Sequence, residues 1–340
     1  MGFTLQEEAA RLEHAQECRR HPNSLRVSKT ARPNLYRQPQ SDDYEKLFRH
    51  EHWAAQRKTI RSHLAAAGTG GTALERWDNC GAECLIEWSD EAQRYRLRAS
   101  YCKNRHCRPC AKSKAGLIAA NLRNRLEQKA TGNDRYRFIT LTLRHSKRPL
   151  REQIRSLYSH FTKLRATKFW KRSQRGGAFM IECGWNKLTR EWHPHLHIIG
   201  EGDFLRQDTL ANEWMKITSG SFKVDVRAIN SGKDAVHYVS KYVTKGTNDE
   251  VWSDDSAAQE WIIATRSLRT CATYGTWRGY KLMRPDKVHQ VKDWKPIALL
   301  SRTVQNAIAG SLADMILLEH LCNALQYNPH KPREKRENSP

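Results

Sequence analysis

The pattern of apolar and polar residues predicts alternating strands and helices in the middle of the chain. Strand patterns, with apolar and polar residues alternating or with runs of β-branched and aromatic residues, occur over residues 137–143, 178–183, 192–200 and 222–229. A turn at 186–190 joins two of them, so 178–200 is expected to form a hairpin. Helical spacing of apolar residues occurs over residues 111–130, 150–172, 206–216 and 232–245.

The flanking regions predict helices and little sheet. Helices are expected over residues 5–19, 41–64 and 302–326, and residues 255–279 are expected to form a helix followed by a basic aromatic segment. The helix at 41–64 should end at the glycine-rich stretch 68–72. Two short strands are expected at 84–88 and 95–99, and the polar end of the chain is expected to be disordered.

The charge balance points to a polyanionic partner. The 340 residues include 59 Lys and Arg against 36 Asp and Glu, a formal net charge of +23. Such a charge attracts phosphate backbones, and an anionic membrane surface is the alternative. No run of 18 apolar residues and no secretory pattern at the N-terminus are seen, so a cytoplasmic location without membrane partners is expected.

Five of the nine cysteines lie within 31 residues. Without an export signal, that cluster predicts a zinc site rather than disulfides. Four thiolates make a closed tetrahedral site, and the favoured set is Cys80, Cys84, Cys107 and Cys110, with Cys102 as the alternate to Cys84. Basic residues around the cluster make duplex DNA an expected ligand: Lys103, Arg105, Arg108, Lys112 and Lys114.

A pair of histidines lies in the predicted strand 192–200. Alternate side chains of a strand share a face, so His195 and His197 should point one way while Leu196 and Ile198 point into the opposite layer. Two imidazoles on one rigid strand make two thirds of a divalent-metal site. His193 shares their parity, but Pro194 interrupts the pattern, and His193 is expected to face solvent.

The predicted helix 232–245 carries chemically active groups on one face. At 100° per residue, one arc holds Asp234, Tyr238, Lys241, Tyr242 and Lys245. Valines occupy the opposite arc and should pack on the sheet. A phenol becomes a covalent nucleophile when a nearby cation stabilises its phenolate, and a surface face of tyrosines and lysines is the alternative.

Three motifs in order resemble those of the HUH endonucleases. They are the strand Phe138-Ile139-Thr140-Leu141-Thr142, the pair His195-Leu196-His197 and the segment Tyr238-Val239-Ser240-Lys241-Tyr242. The preceding cysteine cluster is similar to that of rolling-circle plasmid Rep proteins and of two-tyrosine transposases. The resemblance implies an α+β fold, a central antiparallel β-sheet with flanking helices. A small zinc ribbon-like module and helical N- and C-terminal additions complete it.

The resemblance also implies a mechanism. His195 and His197 would bind Mn²⁺ or Mg²⁺, with Glu182 as third ligand, and Asp203, Glu191 or a water as its alternatives. Tyr238 would attack the scissile phosphate and form a 5′-phosphotyrosine, with Lys241 and Lys245 stabilising phosphate charge. The second step would fall to Tyr242 or to a water activated by Asp234.

The expected function is that of a rolling-circle replication initiator that nicks and rejoins single-stranded origin DNA. A transposase with the same chemistry is the alternative, and a non-enzymatic, zinc-dependent DNA-binding repressor is a third. The expected partners are single- and double-stranded origin DNA, a host helicase and a polymerase. A helicase is needed because the chain has no phosphate-binding loop of the ATPase type.

The predicted domains follow one another along the chain. Residues 1–73 form a basic helical arm, 74–132 the zinc-binding module and its linking helix, and 133–250 the HUH core. Residues 251–328 form a helical C-terminal region, and 329–340 a disordered tail.

Overall fold

The computed structural model describes residues 53–128, 136–229, 246–282 and 293–325, together with Tyr44, Leu47, Phe48 and His50. The chain divides into two compact units. The first comprises residues 1–52, 79–100 and 289–340, and the second comprises residues 53–78 and 101–288. Both units are built from separate stretches of chain, whereas the sequence predicted domains in linear order.

The helices described are α1 (Ala54–Ala66), α2 (Gly71–Asp78), α3 (Arg108–Gln128), α4 (Leu150–Ala166), α5 (Lys168–Ser173), α6 (Gln207–Thr218), α7 (Asp255–Thr265), α8 (Leu300–Ile308) and α9 (Leu312–Ala324). The strands are β1 (Leu85–Ser89), β2 (Arg94–Arg98), β3 (Tyr136–Thr142), β4 (Gln174–Asn186), β5 (Glu191–Gly202), β6 (Val224–Ile229), β7 (Cys271–Gly275) and β8 (Lys295–Leu299). None of these helices combines the length and apolar character that a membrane crossing requires.

The second unit is organised around a five-stranded sheet of order β6-β3-β5-β4-β7. Every neighbouring pair of its strands is antiparallel. β4 and β5 form the long hairpin predicted from the sequence, and the tight turn between them holds Leu188. This sheet and its flanking helices confirm the predicted α+β class.

One face of this sheet is covered by helices. Leu196 and Ile198 of β5 are fully buried there with Ile139 of β3. They share a core with Trp214 of α6 and Trp261 of α7, and with apolar residues of α4. The prediction that Leu196 and Ile198 lie in the layer opposite the histidines is therefore confirmed.

The other face of the same sheet is divided along the strands. Its apolar half includes Phe138, Met180 and Ile199, which share a core with Ile118 of α3 and with Trp277. Further along the same strands and on the same face, the side chains become polar: Thr140, Thr142, Glu182, His195 and His197. The apolar half packs against α3 and Trp277, and the polar half provides the candidate site.

The first unit contains a three-stranded sheet of order β2-β1-β8. The β1–β2 hairpin was expected, whereas β8 was not, and β8 pairs with β1 with Leu85 opposite Leu299. Ile86 packs in a core with Leu300 of α8 and Leu318 of α9. The single helix predicted at 302–326 is wrong because Gly310, with a φ of 94°, separates α8 from α9.

Three other predicted helices differ from the structure. The helix expected over 150–172 is divided into α4 and α5 by Thr167, whose backbone is extended. Residues 255–279 were expected to form a helix followed by a basic aromatic segment. The helix ends at Thr265, Ser267 adopts a left-handed φ of 59°, and β7, which was not expected, follows as an edge strand beside β4. The helix expected over 41–64 begins as α-helix only at Ala54, while Tyr44 and Leu47 pack in the core of the first unit. The predictions for residues 5–19, 232–245 and 329–340 lie outside the described residues.

We expect Leu196→Ala to lower the free energy of unfolding by about 2–5 kcal/mol, because it leaves a cavity in a closed core. The side chain of Leu196 is 0% exposed, whereas that of Leu188, in the turn of the same hairpin, is 95% exposed. Leu188→Ala is the matched control and should change stability by less than about 0.5 kcal/mol. Urea unfolding of the full-length chain measures both, and equal losses would contradict this account of the core.

Candidate active site

The polar half of the sheet face gathers residues from three neighbouring strands. β5 lies between β3 and β4, and His197 is opposite Thr140 while His195 is opposite Thr142. On the other side of β5, Glu182 of β4 is opposite His195. Opposed residues of antiparallel strands project from the same face, so the register alone brings these five side chains together.

Hydroxyl groups from β3 hold both histidine rings. Thr140 Oγ1 is 3.3 Å from His197 Nδ1, and Thr142 Oγ1 is 3.1 Å from His195 Nδ1. The other ring nitrogen of His197, Nε2, is 3.0 Å from Glu182 Oε2. Hydrogen bonds to one nitrogen fix the ring and leave the second nitrogen for a ligand, an arrangement typical of metal-binding histidines.

Burial keeps part of the histidine row uncharged. Desolvation, followed by the neighbouring His193 and His197, lowers the pKa of His195 to about 4. Desolvation, His145 and Lys223 together lower the pKa of His193 to about 4. At neutral pH these imidazoles are therefore in the form that binds a metal ion.

The histidine row is longer than the pair seen in the sequence. The ring centroids of His193 and His195 are 4.3 Å apart, and those of His145 and His193 are stacked at 3.9 Å. His193 is half-buried in this row rather than facing solvent. Sequence reasoning missed His145, and it missed the ring-holding role of Thr140 and Thr142, although their i, i+2 spacing matches that of the histidines.

The three carboxylates considered as third ligand lie in different places. Glu182 contacts His197. Glu191 lies 4.0 Å from the Nδ1 atom of His145, at the outer end of the row. Asp203 follows the opposite end of β5, where its backbone nitrogen bonds the carbonyl of Ser173. The contact with the histidine pair thus favours Glu182.

Four cysteine thiols form a compact cluster. The sulfur atoms of Cys80, Cys102, Cys107 and Cys110 all lie within 4.8 Å of one another. Among the described residues this is the one group of three or more ligand-type side chains gathered so closely, and four thiolates suit a tetrahedral zinc ion. Cys102 occupies the place that the sequence favoured for Cys84, whose side chain instead packs at the core of the first unit.

The loop that carries Cys102 and Cys107, and that leads into α3 with Cys110, is anchored by His106. The backbone nitrogen of His106 donates a hydrogen bond to Asn104 Oδ1 at 2.9 Å, and the His106 ring packs edge-on against Trp252 and Trp261. Burial, with a smaller effect of Arg105, lowers the pKa of His106 to about 3. A neutral, half-buried ring therefore packs the loop against the core of the second unit.

The basic residues predicted to bind DNA divide into two groups. Arg105 donates a hydrogen bond to the carbonyl of Leu268, and Arg108 forms an ion pair with Asp249 at 3.0 Å. Lys103 and Lys112 are exposed. Partial desolvation and the nearby Arg105 lower the pKa of Lys114. Two of the five predicted cations are therefore already engaged in contacts within the protein.

The residues expected to act as nucleophiles lie outside the described part of the chain. These are Tyr238 and Tyr242, together with Asp234, Lys241 and Lys245. Their roles remain predictions from the sequence.

Residues 93–298, more than half of the chain, match the model of a family described as Replication protein. The chain belongs to this family, and the resemblance to rolling-circle Rep proteins is confirmed. Membership supports a rolling-circle replication initiator that acts on origin DNA and, in general terms, a nicking enzyme. Searches of curated proteins and of solved structures find no significant match.

The cysteine cluster predicts which thiol is required for zinc. Cys102→Ser removes one sulfur of the cluster and should reduce bound zinc well below about one ion per chain. Cys84→Ser is the matched control, and its zinc content should equal that of the wild type. Elemental analysis of the purified chain measures both, and the reverse result would restore the set favoured from the sequence.

The lowered pKa of His195 predicts a pH dependence of stability. Its folded-state pKa of about 4 lies below the roughly 6.5 of an unfolded chain. Between these values the unfolded state binds more protons, so the free energy of unfolding falls as the pH falls from about 6.5 to 4. His195→Gln should flatten that fall in urea unfolding with EDTA present. Leu188→Ala, which changes no titratable group, should keep the wild-type slope, and parallel profiles for all three proteins would refute the assignment.

Proposed function

We propose that this replication protein nicks and rejoins single-stranded origin DNA through a tyrosine nucleophile in a cation-dependent reaction. The observation that carries the proposal is the placement of His195, His197 and Glu182 on one face of the sheet, with Glu182 in contact with His197. A transposase would use the same chemistry, and the family match favours replication. Binding of DNA by a repressor does not require such a set of metal-ligand side chains.

The donor set fits a divalent cation. Two imidazoles and a carboxylate suit Mn²⁺ somewhat better than Mg²⁺, which prefers an all-oxygen shell. His195 and His197 would hold the cation through Nε2, because the threonines engage Nδ1, and Glu182 would complete the protein ligands. A bound cation polarises the scissile phosphodiester and favours attack on phosphorus.

The residues that directly follow the tyrosine segment are bonded to the strand that carries Glu182, which supports a position of the two tyrosines near the candidate site. Gly246 is the first described residue after the tyrosine segment, and its carbonyl accepts a hydrogen bond from the Cys183 backbone nitrogen at 2.9 Å. Thr247 adds a side-chain hydrogen bond to the Cys183 carbonyl at 2.8 Å. Cys183 directly follows Glu182, so the end of the segment is tied beside the candidate site. Tyr242 precedes that tie by four residues and Tyr238 by eight.

The proposed reaction has a first cut that forms a phosphotyrosine and a second cut that ends the round. The phenolic oxygen of Tyr238 attacks phosphorus, its proton passes to solvent or a nearby base, and the bond from phosphorus to the 3′ oxygen breaks. The 3′ oxygen takes up a proton and becomes the primer end, while the 5′ phosphate stays on the tyrosine. In the second step the hydroxyl of Tyr242 attacks the phosphorus of the regenerated origin, and the bond from that phosphorus to its 3′ oxygen breaks. The freed 3′ hydroxyl then attacks the Tyr238 phosphotyrosine, forms the new phosphodiester bond and returns a proton to the Tyr238 phenol. Alternatively, a water activated by Asp234 makes the second cut by hydrolysis and leaves a free 5′ phosphate. Lys241 and Lys245 would neutralise phosphate charge.

The cysteine cluster has a separate role in this proposal. Cys80, Cys102, Cys107 and Cys110 would bind a structural Zn²⁺, because a closed set of four thiolates leaves no position for a substrate. Lys103, Lys112 and Lys114 would contact duplex DNA at the origin. Unwinding and synthesis would come from a host helicase and polymerase.

A covalent adduct tests the proposal directly. The wild-type chain, incubated with Mn²⁺ and labelled single-stranded origin oligonucleotides, should form an adduct that survives SDS. Tyr238→Phe and Tyr242→Phe should each alter it, and the double variant should abolish it. His197→Gln should abolish it too, because it removes a cation ligand.

Tyr158→Phe is the matched control for loss of a phenol. The Tyr158 hydroxyl donates a hydrogen bond to the carbonyl of Arg269 and lies on α4, on the helix-covered side of the sheet. The amount of covalent adduct that Tyr158→Phe forms should equal the amount formed by the wild type. No wild-type adduct on any candidate origin, or an adduct in the double tyrosine variant, would refute the mechanism.

A further inference from the structure

A short loop is fixed beside the end of the sheet where His195 lies. The loop follows α6, where Ser219 and Gly220 have φ values of 56° and 131° and turn the chain back toward β6. The Thr142 nitrogen bonds the Lys223 carbonyl at 3.2 Å, and the Arg144 nitrogen bonds Ser221 Oγ at 2.9 Å. Since Thr142 is directly opposite His195, the loop is held next to the candidate site.

This loop and the segment after β3 present positive charge to solvent. Arg144, Lys147 and Arg148 are exposed within the sequence Arg-His-Ser-Lys-Arg, which has no acidic residue. The Arg144 guanidinium passes beside the loop, since a Cβ on Gly220 would lie 3.6 Å from its Nη1 atom. Lys223 is exposed as well and acts electrostatically on His193. Cations from two segments therefore flank the histidine row.

An exposed aromatic ring lies within the same loop. Phe222 is 59% exposed and lies between Ser221, which accepts a hydrogen bond from Arg144, and Lys223, which accepts one from Thr142 at the end of β3. A phenyl ring on a fixed loop has little entropy to lose when it stacks on a base. Phe204 is similarly exposed, at 67%, but it precedes α6 and follows the opposite end of β5. The two rings thus differ in position rather than in chemistry.

We propose that Arg144, Phe222 and Lys223 form a binding rim for unpaired DNA at the His195 end of the sheet. Phe222 stacks on one base, and Arg144 and Lys223 bind phosphates on either side of it. The proposal rests on the proposed function, because the rim leads the strand into the same site. It adds a substrate-positioning surface that the three motifs do not contain.

The chemistry of the rim selects unpaired DNA over duplex. Stacking on an aromatic ring needs a base whose face is accessible, and within a duplex both faces are already covered by neighbouring base pairs. Interleaved aromatic and cationic side chains are typical of proteins that bind single strands without reading their sequence. The rim therefore positions the strand, and it leaves origin selection to other residues.

Binding without any divalent cation tests the rim separately from nicking. Full-length protein is titrated in EDTA with a fluorescent oligothymidylate and with a hairpin duplex of equal length. Phe222→Ala should weaken single-strand binding by about fivefold to a hundredfold and leave duplex binding within about twofold. Phe204→Ala is the matched control and should bind like the wild type, and Phe222→Trp should retain affinity.

The salt dependence of binding tests the phosphate contacts of Arg144 and Lys223. Arg144→Gln and Lys223→Gln should each reduce the slope of log affinity against log salt by about 0.7, the value for one phosphate contact on a single strand. A 2-aminopurine base placed within the oligonucleotide should be quenched on binding to the wild type, and the quenching should be reduced in Phe222→Ala.

The outcomes separate this proposal from the proposed function. Normal single-strand affinity in Phe222→Ala, or an equal loss in Phe204→Ala, overturns the rim. Unchanged salt slopes in both cation variants overturn it as well. If the rim variants lose affinity but the wild type forms no tyrosine adduct, the rim stands and the nicking mechanism fails.

Discussion

The register of β5 between β3 and β4 is the constraint on which the candidate site depends. A slip of one residue would turn His195 and His197 into the helix-covered core and bring Leu196 and Ile198 to the polar side. The full burial of those two aliphatic side chains makes such a slip costly. The chemistry on one face is therefore positioned by apolar packing on the other.

The sheet face that carries the histidines is part of the core along one half of the strands and forms the candidate site along the other half. Where α3 and Trp277 cover it, the strands carry Phe138, Met180 and Ile199, and where that cover ends the strands carry threonines, histidines and Glu182. The histidine rings are held by hydroxyl groups on a neighbouring strand rather than by loops. A site built on paired strands keeps its donor atoms in place before any ligand arrives, which lowers the cost of binding.

The sequence patterns of single segments predicted those strands whose faces and partners are determined by nearby residues. The alternation over 137–143 and the hairpin over 178–200 were sufficient to assign the faces of β3, β4 and β5, and hence the layer that contains Leu196. β7 and β8 were missed because each forms by pairing with a strand that is distant in sequence, whereas the equally short β1 and β2 are neighbours along the chain. The choice between Cys84 and Cys102 depends on which thiol the fold turns toward the cluster, and spacing carries no such information. His145 joins the row through stacking on His193, a contact between strand ends that no single segment displays.

The pairing of β1 with β8 has a consequence for synthesis on the ribosome. Ser89 ends β1 and Lys295 begins β8, so the edge of the β1–β2 hairpin is made roughly 200 residues before its partner. At 5–20 residues per second, that interval is about 10–40 s. The five-stranded sheet of the second unit is complete in sequence at Gly275, before β8 exists. The nascent chain thus carries an unpaired strand edge for most of its translation, and such an edge is where a chaperone or a wrong strand would attach.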